Sequence, residues 1–337
     1  MVYYRRIDVL MKSLKGFVKN FSSVTARQCC GNYIKALPSN QMSSLLIFVI
    51  LFIAFAVTVS SATTGQSRKV QKFFSGTKQE LSVYTIQGEN PGPTLLIFAG
   101  IHGDERTCPS VAAKYLNIKL NKGNIVIVPR LNTVANQKKK RQGLGGDMNR
   151  LFDQPDNSKN PDMKVVNLAK TLIKKADYIV NLHQGYGFYS PTWVDNKRNP
   201  RRWGQSNVID APNFDLPNGE KLELEKFAEK VAQKSNAKIQ DSKFHFLVNN
   251  TNTGSEDTPH KEQRKSLTYY AVTKEHKIAI ALEVTKNCTN AQATRYFITA
   301  INAVIEETGI IADNLPSHIP SPSVKKPKKT KPVHSKT

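Results

Sequence analysis

Cysteine is scarce in this 337-residue chain, and its scarcity excludes two chemistries. Cys29, Cys30, Cys108 and Cys288 are the whole complement, and no two stand in the Cys-x-x-Cys spacing of a thiolate metal or redox site. Four cysteines so placed do not make the dense framework of a small secreted fold, so Cys108 and Cys288 read as two buried thiols. Acidic residues are also few. With 26 Asp and Glu against 49 Lys and Arg, the formal net charge is +23. Nucleic acid would be the first partner to consider, yet no zinc finger, helix-turn-helix or aromatic RNA-binding motif accompanies the charge. Much of the excess sits at the ends: residues 1–62 carry a net +6 and residues 321–337 another +6. No nucleic-acid partner is expected.

The chain also lacks an apolar run of the ~20 residues that a full membrane span takes. Its longest, residues 45–57 (LLIFVILFIAFAV), has the length of a signal-peptide core and is followed by the small residues Ser60, Ser61 and Ala62. Basic residues ahead of such a run stay on the cytoplasmic side, so everything after residue 62 is expected to be exported, giving a periplasmic location. The segment ahead of it is 41 residues long, which leaves two readings open: a start codon nearer Met42, or an uncleaved inner-membrane anchor over 45–59. The expected organisation is a basic segment 1–41, a signal or anchor 42–62, a folded domain 63–315 and a Lys/Pro-rich tail 316–337 that cannot bury a core. Six lysines in that tail point to salt-dependent contact with anionic wall polymers or membrane.

Within the folded domain, short apolar runs alternate with helical periodicity. Leu95–Ala99, Ile125–Val128, Tyr178–Leu182 and Ile278–Leu282 read as buried strands, and 108–119, 162–175, 219–235 and 290–307 as helices. Thr289 or Asn290 is a natural cap for the last helix and Gly309 a stop. The alternation predicts an α/β fold, a mixed and mostly parallel twisted sheet flanked by helices on both faces.

Reactive side chains stand at the ends of three of these strands, where such sheets collect ligands. His102-x-x-Glu105 follows the first, His183 ends the third and Glu283 ends the fourth. Two imidazoles and a carboxylate make an open, catalytic type of Zn2+ site for one ion, and Glu283 fits a general base and acid. A carboxylate ending an apolar strand needs a reason, and its bland alternative is an ion pair with Lys286 or an arginine.

Gly100-Ile101-His102-Gly103-Asp104-Glu105, then Asp147-Met148-Asn149-Arg150, then Asn181-Leu182-His183, then Glu283 together resemble the zinc carboxypeptidases of the carboxypeptidase A-like superfamily. The resemblance implies His102, Glu105 and His183 as zinc ligands and Glu283 as the acid/base. It also implies Asn149 and Arg150 as the grip on the substrate's terminal carboxylate, and Arg141 as oxyanion stabiliser. A guanidinium fork suits that carboxylate better than an ammonium would.

Gly185 to Tyr189, Asn199-Pro200-Arg201-Arg202-Trp203-Gly204 and Ser266 to Ala271 carry a narrower resemblance, to the bacterial D,L-carboxypeptidases that set helical cell shape. This implies removal of terminal diaminopimelate from peptidoglycan tripeptide, with Tyr189, Arg201, Arg202, Trp203 and Thr268 as further substrate contacts. Two alternatives stand beside it: an aspartoacylase- or succinylglutamate desuccinylase-like hydrolase of N-acyl amino acids, and an inactive membrane-tethered wall-binding protein.

Overall fold

A computed structural model describes residues 67–317; the apolar run 45–57 and the lysines of the tail lie outside the described residues. Among the described residues no helix is long and apolar enough to cross a membrane.

Thirteen strands form among the described residues: β1 (Ser67–Phe73), β2 (Leu81–Gln87), β3 (Asn90–Phe98), β4 (Leu120–Val128), β5 (Tyr178–Gly185), β6 (Phe188–Tyr189), β7 (Arg198–Asn199), β8 (Ser206–Ile209), β9 (Asn213–Asp215), β10 (Lys221–Glu223), β11 (Leu247–Asn250), β12 (Ile278–Thr285) and β13 (Ile311–Ala312). Nine of them make one sheet in the order β1-β2-β4-β3-β5-β12-β8-β11, with β13 on β4. Its centre, β4-β3-β5-β12, is parallel. The flanks turn antiparallel, β2 on β4 and β8 on β12. The pairs β6-β7 and β9-β10 are separate ribbons.

The four strands expected from apolar runs are the four parallel central ones, because only strands covered on both faces can be apolar throughout. β5 is buried from Ile179 to Gln184, which requires a layer on each side. Among the described residues six helices supply those layers: α1 (Thr107–Lys114), α2 (Thr133–Lys138), α3 (Met163–Lys175), α4 (Leu224–Asn236), α5 (Leu267–Thr273) and α6 (Asn290–Glu307). Two groups form, α1 and α4 against α6, and α3 against α5.

The capping expectations hold in detail. Thr289 accepts from the Gln292 N–H at 3.2 Å while Gln292 accepts from the Thr289 N–H at 3.0 Å, a reciprocal capping box, and Gly309 follows α6 with φ +75°. Cys108 and Cys288 are both free thiols, the first buried and the second half-buried.

Candidate functional site

The site is built at the carboxyl ends of three neighbouring parallel strands, β3, β5 and β12. In the register of β5 on β12, His183 stands directly beside Glu283. His102 and Glu105 ride on the turn between β3 and α1. That turn needs its glycines: Gly100 has φ +67°, and a Cβ on Gly103 would collide with the carbonyl of Ala135 in α2. Close backbone approach at Gly103 is what lets α2 press the turn inward.

His102, Glu105 and His183 are all buried, and one ligand atom from each lies within 4.8 Å of the others. Both imidazoles aim Nδ1 at the same carboxylate, His102 at Oε1 (2.8 Å) and His183 at Oε2 (3.1 Å). Their outer nitrogens are held as well. His102 Nε2 donates to Asp147 Oδ1 at 3.0 Å, and His183 Nε2 meets the Asn181 side-chain amide at 2.8 Å.

Among the described residues, this cluster could hold a metal ion. Burial alone would lower His102, but the charge of Glu105 and the bonds from Asp147 and Glu105 raise it to about 9. His183 moves the other way, lowered by its burial, because one carboxylate supports only one imidazolium in a dry site. Asn181 Oδ1 is buried without a partner. A half-turn of that amide would put the oxygen on His183 Nε2–H, relieve the orphan and free the Nδ1 lone pair. The donor set then matches a divalent ion bound by two imidazoles and a carboxylate, with outer partners orienting both rings.

A cavity of about 170 Å³ opens over the cluster. His102, Glu105, His183, Arg141, Asn149, Arg150, Trp203, Thr268 and Glu283 all line it. Glu283 Oε2 is inaccessible and unpartnered. Burial first, and then the charge of Glu105, push its carboxyl well above the usual carboxylate range. Among the described residues the ion pair that would have been the bland account of this residue is absent, and Lys286 pairs instead with Asp104 at 2.7 Å. Arg141, rather than the lysines before it, faces the cavity; its Nε and Nη2 both donate to Asp147 Oδ2 at 3.0 Å. Asn149 is fixed by accepting from the Leu267 N–H at 3.0 Å, which ties the Asn-Arg turn to the start of α5. The Arg150 guanidinium reaches the cavity with one bond, to the Asn149 carbonyl.

Three expected contacts are not brought into this cavity. Arg202 donates through Nε and Nη2 to the Asn196 carbonyl, at 2.9 and 2.6 Å, bracing its own loop. Arg201 points to solvent. Tyr189 lines a separate pocket of about 290 Å³ with Pro200 and the 249–260 segment; Trp203 borders that pocket's His260 edge-on at 5.2 Å. Sequence reasoning assigned no role to Asp147, Asn181, Asp210 or Gln263. Asn181 was findable, since it lies two residues before His183 on the same face of β5. Asp147 was findable as the acid opening the Asn-Arg turn. Asp210 and Gln263 arrive from loops that no local pattern aims at the site.

Residues 75–314 match the family described as carboxypeptidase controlling helical cell shape, catalytic. The chain belongs to that family. Among solved structures, it resembles the cell-shape determinant Csd4 of Helicobacter pylori, a D,L-carboxypeptidase. In its mDAP-bound form the identity is 32% and the TM-score 0.61, over 67% of this chain and 54% of that one. In its tripeptide-bound form the identity is 28% and the TM-score 0.62, over 75% and 58%. This chain therefore spans a little over half the length of these relatives. A curated protein, the N-alpha-acetyl-L-2,4-diaminobutyric acid deacetylase of Halomonas elongata, is 32% identical over 107 residues, 30% of this chain and 31% of that one. The ectoine utilization protein EutE of Ruegeria pomeroyi shares the fold at 15% identity and TM-score 0.51.

Proposed function

We propose that this protein is a zinc-dependent D,L-carboxypeptidase that removes terminal diaminopimelate from peptidoglycan tripeptide on the outer side of the inner membrane. The observation that carries the reading is the meeting, in one cavity, of a three-ligand cluster, an unpaired carboxylate and an Asn-Arg grip. His102, Glu105 and His183 would hold the ion, and zinc is the metal that two imidazoles and a carboxylate with an open position favour. When bound, zinc acidifies a water and polarises the scissile carbonyl.

The remaining work belongs to the chain. Arg150, with Asn149 beside it, receives the free α-carboxylate of the last residue and so restricts cleavage to chain ends. Arg141, already on the rim by Asp147, is placed to offset negative charge that develops on the carbonyl oxygen. Glu283 takes the proton of the attacking water at a carboxylate oxygen and returns it to the departing amine. Its raised affinity for a proton suits both halves of that task near neutral pH. Trp203 lines the cavity. The relatives with bound mDAP and tripeptide support the substrate class. Export rests on the apolar run 45–57, and the tail lysines are proposed to hold the enzyme near anionic wall or membrane.

A second reading is favoured by the stretch shared with the diaminobutyrate deacetylase: hydrolysis of an N-acyl amino acid by the same machinery. One experiment separates the two. Full-length protein with zinc is incubated with muramyl tripeptide and, separately, with N-acetyl-L-2,4-diaminobutyrate, and released diaminopimelate and acetate are quantified. Release of diaminopimelate from the first alone is expected. Release of acetate from the second, with the tripeptide intact, would replace the peptidase reading with the deacylase one.

A further inference from the structure

A second hollow adjoins the cavity and has no part in the chemistry above. It holds about 290 Å³, near the lower end of small-molecule sites, which run from roughly 300 Å³ upward. The two meet at a pair of rings: Trp203 lines the cavity, His260 lines the hollow, and the rings stand edge-on at 5.2 Å.

Two polar side chains in this hollow are left over. Asn249 of β11 lines it while only 3% exposed, and among the described residues its side-chain amide makes no hydrogen bond. A primary amide offers two donors and an acceptor oxygen, and burying them without partners is costly. Tyr189 of β6 lines the hollow half-buried, and its hydroxyl is likewise without a partner among the described residues. Tyrosine hydroxyls in such settings usually find one. Loose chain does not explain the vacancies. Thr258 donates to the Thr251 carbonyl at 2.6 Å, and Arg264 holds the carbonyls of Thr253 and Ser255 at 3.0 and 2.8 Å. The frame is fixed by its own bonds before any ligand arrives.

Charge narrows the class of ligand. Among the described residues no lysine or arginine lines the hollow, whereas Asp257 does, so a carboxylate is disfavoured there. A neutral ligand with donors, acceptors and an apolar face for the Tyr189 ring fits instead, and an N-acetylated sugar has all three. We propose that the hollow between Asn249 and Tyr189 binds the N-acetylmuramyl ring that carries the peptide. The inference rests on the carboxypeptidase reading above and deepens it, extending recognition from peptide to sugar. From the scissile bond back to the ring the ligand passes two amino acids and a lactyl link, roughly 10 Å when extended, which carries it out of the cavity past Trp203. The Asn249 amide donates to the acetyl oxygen and accepts from the acetamido N–H. The Tyr189 ring lies against the C–H face of the sugar, and its hydroxyl bonds a sugar hydroxyl.

The test is calorimetric titration of the full-length zinc-loaded protein with N-acetylmuramyl-L-alanyl-D-isoglutamine and with L-alanyl-D-isoglutamine. The two probes differ by the sugar alone, and neither contains diaminopimelate to be released. Wild type is expected to prefer the muramyl probe by about tenfold or more. Asn249→Ala is expected to bring the ratio close to one by weakening the muramyl probe alone. Tyr189→Phe keeps the ring and is expected to lower the ratio by about threefold, the loss of one modest hydrogen bond. Equal affinities in wild type would hand the hollow to the peptide and overturn the proposal. So would a ratio unchanged in both variants, or equal weakening of both probes, which would assign the residues to the fold. If Asn249→Ala melts early, the wild-type ratio and Tyr189→Phe decide. A sugar preference without tripeptide hydrolysis would defeat the reaction assigned above and leave this subsite standing, and hydrolysis without the preference would do the reverse.

Discussion

At the His102–Glu105–His183 end of the cavity both carboxylate oxygens and the imidazoles are hydrogen-bonded, whereas Glu283 Oε2, on the strand beside His183, has no partner. Both regions are buried, so the difference lies in what each is built to receive. The matched end is the cluster that could hold a metal ion: two imidazoles face one carboxylate and are oriented from outside by Asp147 and Asn181. The unmatched atom belongs to the carboxylate to which the proton transfer is assigned, Glu283. Leaving it unpaired costs stability, and buried polar groups of this kind concentrate at working sites.

The largest effect that separates the two ends is expected from Glu283→Gln. It should lower turnover by roughly 10²- to 10⁴-fold, the range of general acid–base catalysis, and leave zinc affinity unchanged by calorimetry. A parallel fall in zinc affinity would mean that Glu283 belongs to the matched end after all. Asn181→Ala acts from the other side. Loss of the outer partner of His183 should weaken zinc by about 10- to 100-fold, with the turnover of zinc-saturated enzyme close to wild type. Arg150→Lys is smaller and more selective. KM should rise about tenfold for tripeptide with a free carboxylate, since a bidentate fork is lost, while binding of the C-terminally amidated tripeptide barely changes.

The smallest effect concerns pH and the metal-free protein. His102 holds its proton to about 9 in the folded chain, against 6.5 when unexposed to these partners. A raised folded value stabilises the fold fully below 6.5, and that contribution is lost as pH rises through 9. Melting temperature in chelator should therefore fall between pH 6.5 and 9. With zinc present the slope should flatten, because metal-bound imidazoles carry no such proton.

How much of this was legible before folding follows the same division. The strands β3, β4, β5 and β12 announced themselves because burial on both faces makes them apolar throughout, and His102, Glu105, His183 and Glu283 stand at or just beyond strand ends. Edge strands were silent. β1 is exposed almost along its length, and β8 is four residues of which two are polar, so neither presents a run to detect. Helix ends drifted for related reasons: α1 stops at Lys114 where 119 was expected, and α4 starts at Leu224 rather than 219 because β10 occupies the residues before it. Asn-Pro-Arg-Arg-Trp-Gly delivered Trp203 to the cavity and spent Arg202 on its own loop, a distinction only packing makes. Asp210 is legible nowhere in local sequence, since its place depends on β8 lying antiparallel to β12 and on threonines more than 40 residues away.

The central claim is that the matched and unmatched groups together hydrolyse a wall peptide from its carboxyl end. Mass spectrometry of purified muramyl tripeptide after incubation with the full-length zinc-loaded protein tests it most directly, with Glu283→Gln alongside. The account predicts conversion to dipeptide and free diaminopimelate by wild type and none by the variant over the same time. Intact tripeptide in both, with zinc shown to be bound, would contradict it.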